Sequence, residues 1–100
     1  MPYIKDPEGN QTVALHKMAD FTGRRVLEIG AGDGHLTWRY AEKTAQVTAI
    51  DPNPDKIAAA VENMPAHLRG RVKFITAGLA EFTPSPDEPE FDIALFGWSL

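Results

Sequence analysis

The stretch VLEIGAGDGHLT, Val26 to Thr37, decides how the rest of the chain is read. It passes from strand-forming residues into three glycines at alternate positions, Gly30, Gly32 and Gly34, and then into residues with helical spacing. A chain that turns directly from a strand into a helix needs a left-handed φ or very close backbone packing, and glycine supplies both without steric conflict. The stretch therefore predicts a strand, a tight loop and a helix from Gly34 to Lys43, in which Leu36 with Tyr40 and Thr37 with Ala41 keep the helical period.

The same alternation repeats downstream. VTAI, Val47 to Ile50, reads as a short buried strand ending at Asp51. In DPNPDK, Asn53 is placed to cap a helix whose first position is Pro54, where the fixed φ fits and the missing N–H is no loss. Ile57, Ala60, Val61 and Met64 form one face of that helix, and Pro65 and Gly70 close it. A third strand follows at Val72 to Thr76 and a fourth at Phe91 to Phe96, separated by a loop that contains TPSPDEPE, residues 83–90. Three prolines there forbid a continuous helix. Upstream, Ala14, Leu15, Met18 and Phe21 recur at helical spacing, with Gly23 to end that helix. Strands that alternate with helices and are apolar throughout belong to a parallel sheet covered on both faces. Right-handed crossovers then give the strand order 3-2-1-4, with ligands expected outside the carboxyl ends where the order reverses. The expected organisation is an arm and helix over residues 1–22 packing on a three-layer α/β domain over 23–100.

Composition narrows the function classes. At 100 residues and 43 % apolar content the chain forms one small domain. No run approaches the roughly 18 apolar residues that a membrane span needs, and the opening MPYIKDPEGN is too polar for a signal peptide. With no cysteine, this suggests a soluble cytoplasmic protein. The net charge is -4, and residues 77–100 carry Glu81, Asp87, Glu88, Glu90 and Asp92 with no Lys or Arg. Arg69, Arg71 and Lys73 form the nearest thing to a basic cluster and read as the solvated edge of a strand, so there is no nucleic-acid footprint.

Glu28 sits inside an otherwise apolar strand end, where a carboxylate is costly unless a hydrogen-bond donor or a cation meets it. Asp51 stands at the corresponding end of the second strand. Two carboxylates flanking a glycine floor suit a ligand that carries a diol and a positive charge. A dinucleotide supplies the diol, but its pyrophosphate would meet Glu28 with the wrong sign. Its G-x-G-x-x-G fingerprint also needs glycine where this chain has His35, although Asp51 fits that reading as well.

The pattern E-x-G-x-G-x-G, followed by Asp51 after the second strand and GLAEF after the third, resembles the class I, Rossmann-like S-adenosylmethionine-dependent methyltransferases. The resemblance runs from about Gly23 to the C-terminus. It implies that Glu28 faces the methionyl amine directly or through water, and that the backbone of Gly30, Ala31, Gly32 and Gly34 packs against the ribose and methionine portion. Asp51 would accept from both ribose hydroxyls, and Pro52 or Asn53 would lie on one face of the adenine. Where the family often has an acidic residue for the adenine amino group, this chain has Leu79, which can still sandwich the ring while the Ala80 N–H reaches a ring nitrogen. Glu81 reads as a solvated loop carboxylate.

Other polar residues have plainer readings. Asp33 is placed to cap a helix, and His35 to sit exposed in its first turn. His16, His35 and His67 share no ligand spacing, so no metal is expected. Trp38 and Tyr40 read as packing. Trp98 and Ser99 follow the fourth strand, on the acceptor side in the family, where Trp98 either lines the acceptor pocket or packs. The Asn/Asp-Pro-Pro-aromatic signature of amide-nitrogen methylation is absent, since the chain reads GWSL there.

The family's sheet has seven strands and this pattern supplies four. The fourth strand would then leave a bare apolar edge, an arrangement that proteins usually cover. The expectation is an N-terminal part of a longer methyltransferase, or a dimer or partner chain completing the sheet. The function expected is methyl transfer to a small-molecule acceptor. The alternatives are a non-catalytic module that binds the same cofactor and an NAD(P)-binding Rossmann half.

Overall fold

The computed structural model of the chain describes residues 3–5 and 20–97. The expected helix around Ala14 to Phe21 lies outside those residues except for its end, where Phe21 is buried. Five strands form one sheet: β1 (Tyr3–Lys5), β2 (Arg25–Ile29), β3 (Gln46–Asp51), β4 (Val72–Thr76) and β5 (Ile93–Phe96). Every pairing is parallel, and the order is β1-β5-β2-β3-β4. The last four strands stand in the 3-2-1-4 order that the crossover rule gave. The basic trio lies on or beside β4, the edge strand, and Arg69, Arg71 and Lys73 are all exposed.

The edge of β5 is not bare. β1 pairs along it in register, Tyr3 with Ala94, Ile4 with Leu95 and Lys5 with Phe96. The segment from which the sequence expects only a polar arm thus pairs along the edge for which it expects either the rest of a longer methyltransferase or a partner chain. Tyr3 to Lys5, three of the four residues between Pro2 and Pro7, carry no strand pattern of their own, and the pairing comes from the ladder that β5 offers.

Each face of the sheet has its own apolar cluster. On one face Val26, Val47, Ala49, Val72, Ile93 and Leu95 pack with Phe21, Leu36, Tyr40, Ala41 and Leu68, and Phe21 stacks on Tyr40 with ring centroids 4.8 Å apart. On the other, Leu27, Ile29 and Ile50 are buried against Ile75, Phe82, Phe91 and Phe96. Phe82 and Phe91 come from the long loop, so among the described residues a loop supplies this layer. Arg25 holds that loop down. Its side chain donates to the Pro89 carbonyl at 3.1 Å and Glu88 at 3.2 Å and lies over the Phe91 ring, while its backbone N–H donates to Asp92 at 2.8 Å. This tethering delays the fourth strand from Phe91 to Ile93.

The helix after the glycines is shorter than expected. One α-helical turn, α1 (Thr37–Tyr40), passes into a 3-10 turn at Ala41–Lys43. Gly34, at φ 86°, cannot belong to a right-handed helix, and Tyr40 departs from helical geometry at φ -126°. The second helix, α2 (Pro54–Asn63), follows the expected cap: the Asn53 side chain accepts from the N–H groups of Asp55 at 2.9 Å and Lys56 at 3.3 Å. Such a cap contributes about 1 kcal/mol.

Candidate functional site

The carboxyl ends of β2, β3 and β5 bring the glycine loop, Asp51 and Gly97 together. The loop is tied to β3 by two bonds to the Ile50 carbonyl, from the N–H of Gly30 at 2.9 Å and of Ala31 at 3.0 Å. Gly30, Gly32 and Gly34 all adopt positive φ, and a Cβ on Gly34 would collide with the Trp38 indole. Trp38 therefore packs, as expected, and what it packs against is the loop and Phe74. Asp33 accepts from the His35 N–H at 3.1 Å, so it steadies the turn that precedes α1 rather than the helix itself, and His35 is exposed.

Asp51 is buried, and both its oxygens are held by backbone amides. Oδ2 accepts from Gly32 N–H and Oδ1 from Asn53 N–H, each at 2.9 Å. The carboxylate thus fixes the loop to the end of β3. Each oxygen keeps a further lone pair for a second donor, the requirement for gripping a diol.

Glu28 is wholly buried beneath the loop. Its Oε1 accepts from the Tyr40 hydroxyl at 2.6 Å and the Thr37 hydroxyl at 2.7 Å, both from α1. Burial first, and then the charge and hydrogen bond of Glu28, push the Tyr40 phenol well above its ordinary value. From the sequence, Tyr40 reads as a packing residue and Thr37 only as part of the helical period. The available signal was a pair of hydroxyl residues three apart on the helix that follows a strand with an otherwise unmatched carboxylate.

Gly97 closes the floor. Its N–H donates to the Ile29 carbonyl at 2.8 Å, and a Cβ placed on it would lie 2.5 Å from the Gly30 carbonyl oxygen and 3.2 Å from Glu28 Oε2. Two acceptors converge where a side chain is missing, a set that suits an ammonium donor. The ligand features inferred from sequence, a diol and a positive charge, match the chemistry of these residues.

Around this floor, Pro52, Asn53, Leu79 and Ala80 are exposed, Leu79 to 53 %. The loop that bears Leu79 is anchored beside Asp51 by a bond from Ala77 N–H to the Asp51 carbonyl at 3.0 Å. Glu81 is exposed and turns back to accept from Gly78 N–H at 3.1 Å. Trp98 and Ser99 lie outside the described residues. Among the described residues no group of three His, Asp or Glu side chains is placed to hold a metal ion, and no helix is long and apolar enough to cross a membrane.

A family model described as a methyltransferase domain matches residues 26–100. The magnesium-protoporphyrin O-methyltransferase of Rhodobacter capsulatus is 39 % identical over 78 residues, covering 74 % of this chain and 35 % of that protein. The tRNA U34 carboxymethyltransferase of Idiomarina loihiensis is 35 % identical over 86 residues, covering 82 % of this chain and 25 % of that protein. The crystal structure of YcgJ from Bacillus subtilis superposes with a TM-score of 0.72 at 26 % identity, over 92 % of this chain and 39 % of that one. The chain thus spans about a quarter to a third of the length of these two curated relatives. With the glycine loop, the paired carboxylates and the 3-2-1-4 strand order in place, the chain belongs to the methyltransferase-domain family, as a class I, Rossmann-like member of the S-adenosylmethionine-dependent methyltransferases.

Proposed function

We propose that the chain binds S-adenosylmethionine across the carboxyl ends of β2 and β3 and serves as the cofactor half of an enzyme that methylates a small-molecule acceptor. The observation that carries this reading is Asp51, buried and fixed by the Gly32 and Asn53 amides with lone pairs left over. In this reading Asp51 takes both ribose hydroxyls. The Gly30 carbonyl and Glu28 take the methionyl ammonium. Gly32 and Gly34, with Ala31 between them, let the backbone approach the ribose and thioether. Leu79 and Pro52 or Asn53 bracket the adenine, with the Ala80 N–H on a ring nitrogen.

When bound, the cofactor supplies an activated methyl group on a sulfonium that an acceptor displaces in line. The residues of this chain bind and orient, and the buried loop keeps water from the sulfur side. Support for a small-molecule acceptor comes from the net charge of -4 and the acidic C-terminal quarter, residues 77–100. A phosphate backbone is met by clustered cations, and the exposed Arg69, Arg71 and Lys73 lie at the far sheet edge, on or beside β4, away from Gly97. The relatives' names include both a porphyrin and a tRNA as acceptor, so the acceptor class is tested directly.

Titration calorimetry with S-adenosylhomocysteine and with NAD separates the cofactor readings. Heat with the first and none with the second is expected; no heat with S-adenosylhomocysteine at millimolar concentration refutes the proposal. Salt dependence tests the acceptor. Binding of transfer RNA that weakens steeply between about 50 and 200 mM salt would overturn the small-molecule reading.

A further inference from the structure

Among the groups at the site, two have no role in the reading above: the hydroxyls of Thr37 and Tyr40. Both donate to the same oxygen of Glu28, at 2.7 and 2.6 Å, in a place from which water is excluded. A glutamate has three side-chain torsions that set where its carboxylate oxygens lie, and short charge-assisted bonds from fixed donors remove that freedom. The donors are themselves fixed. Thr37 is fully buried, and the Tyr40 ring is stacked on Phe21 at 4.8 Å and buried to 1 % exposure. With Oε1 held from the α1 side, Oε2 is turned toward Gly97 and the Gly30 carbonyl.

We propose that Tyr40, together with Thr37, is a positioning residue for the amino-acid end of the cofactor. The two hydroxyls clamp one oxygen of Glu28 so that the other presents to the ammonium group beside Gly97. The inference rests on the methyl-donor reading and deepens it. It assigns the adenosine end to the β3 side, through Asp51, and the amine end to a hydroxyl clamp on α1. The two ends of the ligand are therefore gripped by separable sets of residues.

That separability is what the experiment reads. Affinity is measured by calorimetry for two ligands, S-adenosylhomocysteine, which carries the amino-acid ammonium, and 5′-methylthioadenosine, which keeps the adenosine and thioether but has no amino-acid portion. Tyr40→Phe keeps the ring and its stacking and removes only the hydroxyl. Thr37→Val removes the second hydroxyl at nearly constant shape, and Thr37→Ser restores it. Loss of one clamping bond is expected to weaken S-adenosylhomocysteine about tenfold while methylthioadenosine changes less than about twofold. Thr37→Ser should bind both ligands as the unsubstituted chain does. A general loss of folding lowers both affinities together and leaves their ratio alone. Equal losses for the two ligands, or no loss for either, would overturn the clamp while leaving the methyl-donor reading standing. If the unsubstituted chain binds neither ligand, that reading falls and the clamp falls with it.

Discussion

Replacing Asp51 by asparagine tests the joint on which the glycine loop hangs. The native carboxylate presents an acceptor to each of two backbone donors, Gly32 N–H and Asn53 N–H, both at 2.9 Å. An amide of the same shape presents one acceptor and one NH2, so whichever way it turns, a donor faces a donor. One charge-assisted bond is lost, worth about 1.5–3 kcal/mol, and the other becomes an ordinary bond of about 1 kcal/mol. Because the site is only 3 % exposed, water offers little compensation. A net cost of about 3 kcal/mol leaves a domain with typical stability of about 5–15 kcal/mol folded. It should lower the melting temperature of a chain this size by about 12–24 °C. The ribose hydroxyls also lose a charged acceptor, so S-adenosylhomocysteine should weaken by at least about tenfold. Melting followed by circular dichroism, with calorimetry on the folded variant at low temperature, reads both effects. A melting temperature within about 2 °C of the unsubstituted chain would show that the loop does not depend on this carboxylate. Unchanged ligand affinity would remove Asp51 from the ribose site.

Further perturbations probe the neighbouring joints. The folded state keeps the Tyr40 phenol protonated above its ordinary value of about 10, whereas the unfolded chain releases that proton there. The folded state thus binds more protons, and stability is complete below about pH 10 and falls as pH rises further. Tyr40→Phe should flatten this alkaline limb, and a limb of unchanged slope in urea melts between pH 9 and 11 would contradict it. Gly97→Ala places a methyl 2.5 Å from the Gly30 carbonyl oxygen, a backbone atom that cannot swing aside. A cost of about 1–3 kcal/mol and loss of S-adenosylhomocysteine binding are expected, and an alanine variant with native affinity would refute the close approach. Asn53→Ala removes the cap of α2, whose oxygen accepts from Asp55 and Lys56, and should cost about 1 kcal/mol, read as a melting shift of about 4–8 °C.

What could be read in the sequence was whatever a residue's own neighbours determine. The apolar runs at Val26 and Val47, the cap at Asn53 and the glycines of the loop each carry a local pattern, and these gave the sheet order and the position of Asp51. What could not be read was set by groups distant in sequence. Tyr3–Lys5 is a strand because β5 offers a ladder, not because its residues alternate. Phe91 extends the apolar run FDIALF yet stays outside β5, where Arg25 lies over its ring and binds Pro89 and Asp92. Tyr40 looked like core and is core, but its hydroxyl completes the environment of Glu28, a partner twelve residues away. The carboxylate demanded a donor, and nothing local said which.

The most direct test follows the backbone amides of the isotopically labelled chain by nuclear magnetic resonance as S-adenosylhomocysteine is added. If the cofactor lies across the carboxyl ends of β2 and β3, the largest shifts fall on Gly30 to Gly34, Asp51 and Asn53, Leu79 and Ala80, and Gly97. Arg25 and the loop of residues 83–90 at the opposite end of the sheet should stay still. Shifts centred on that opposite end, or none at saturating ligand, would contradict the site.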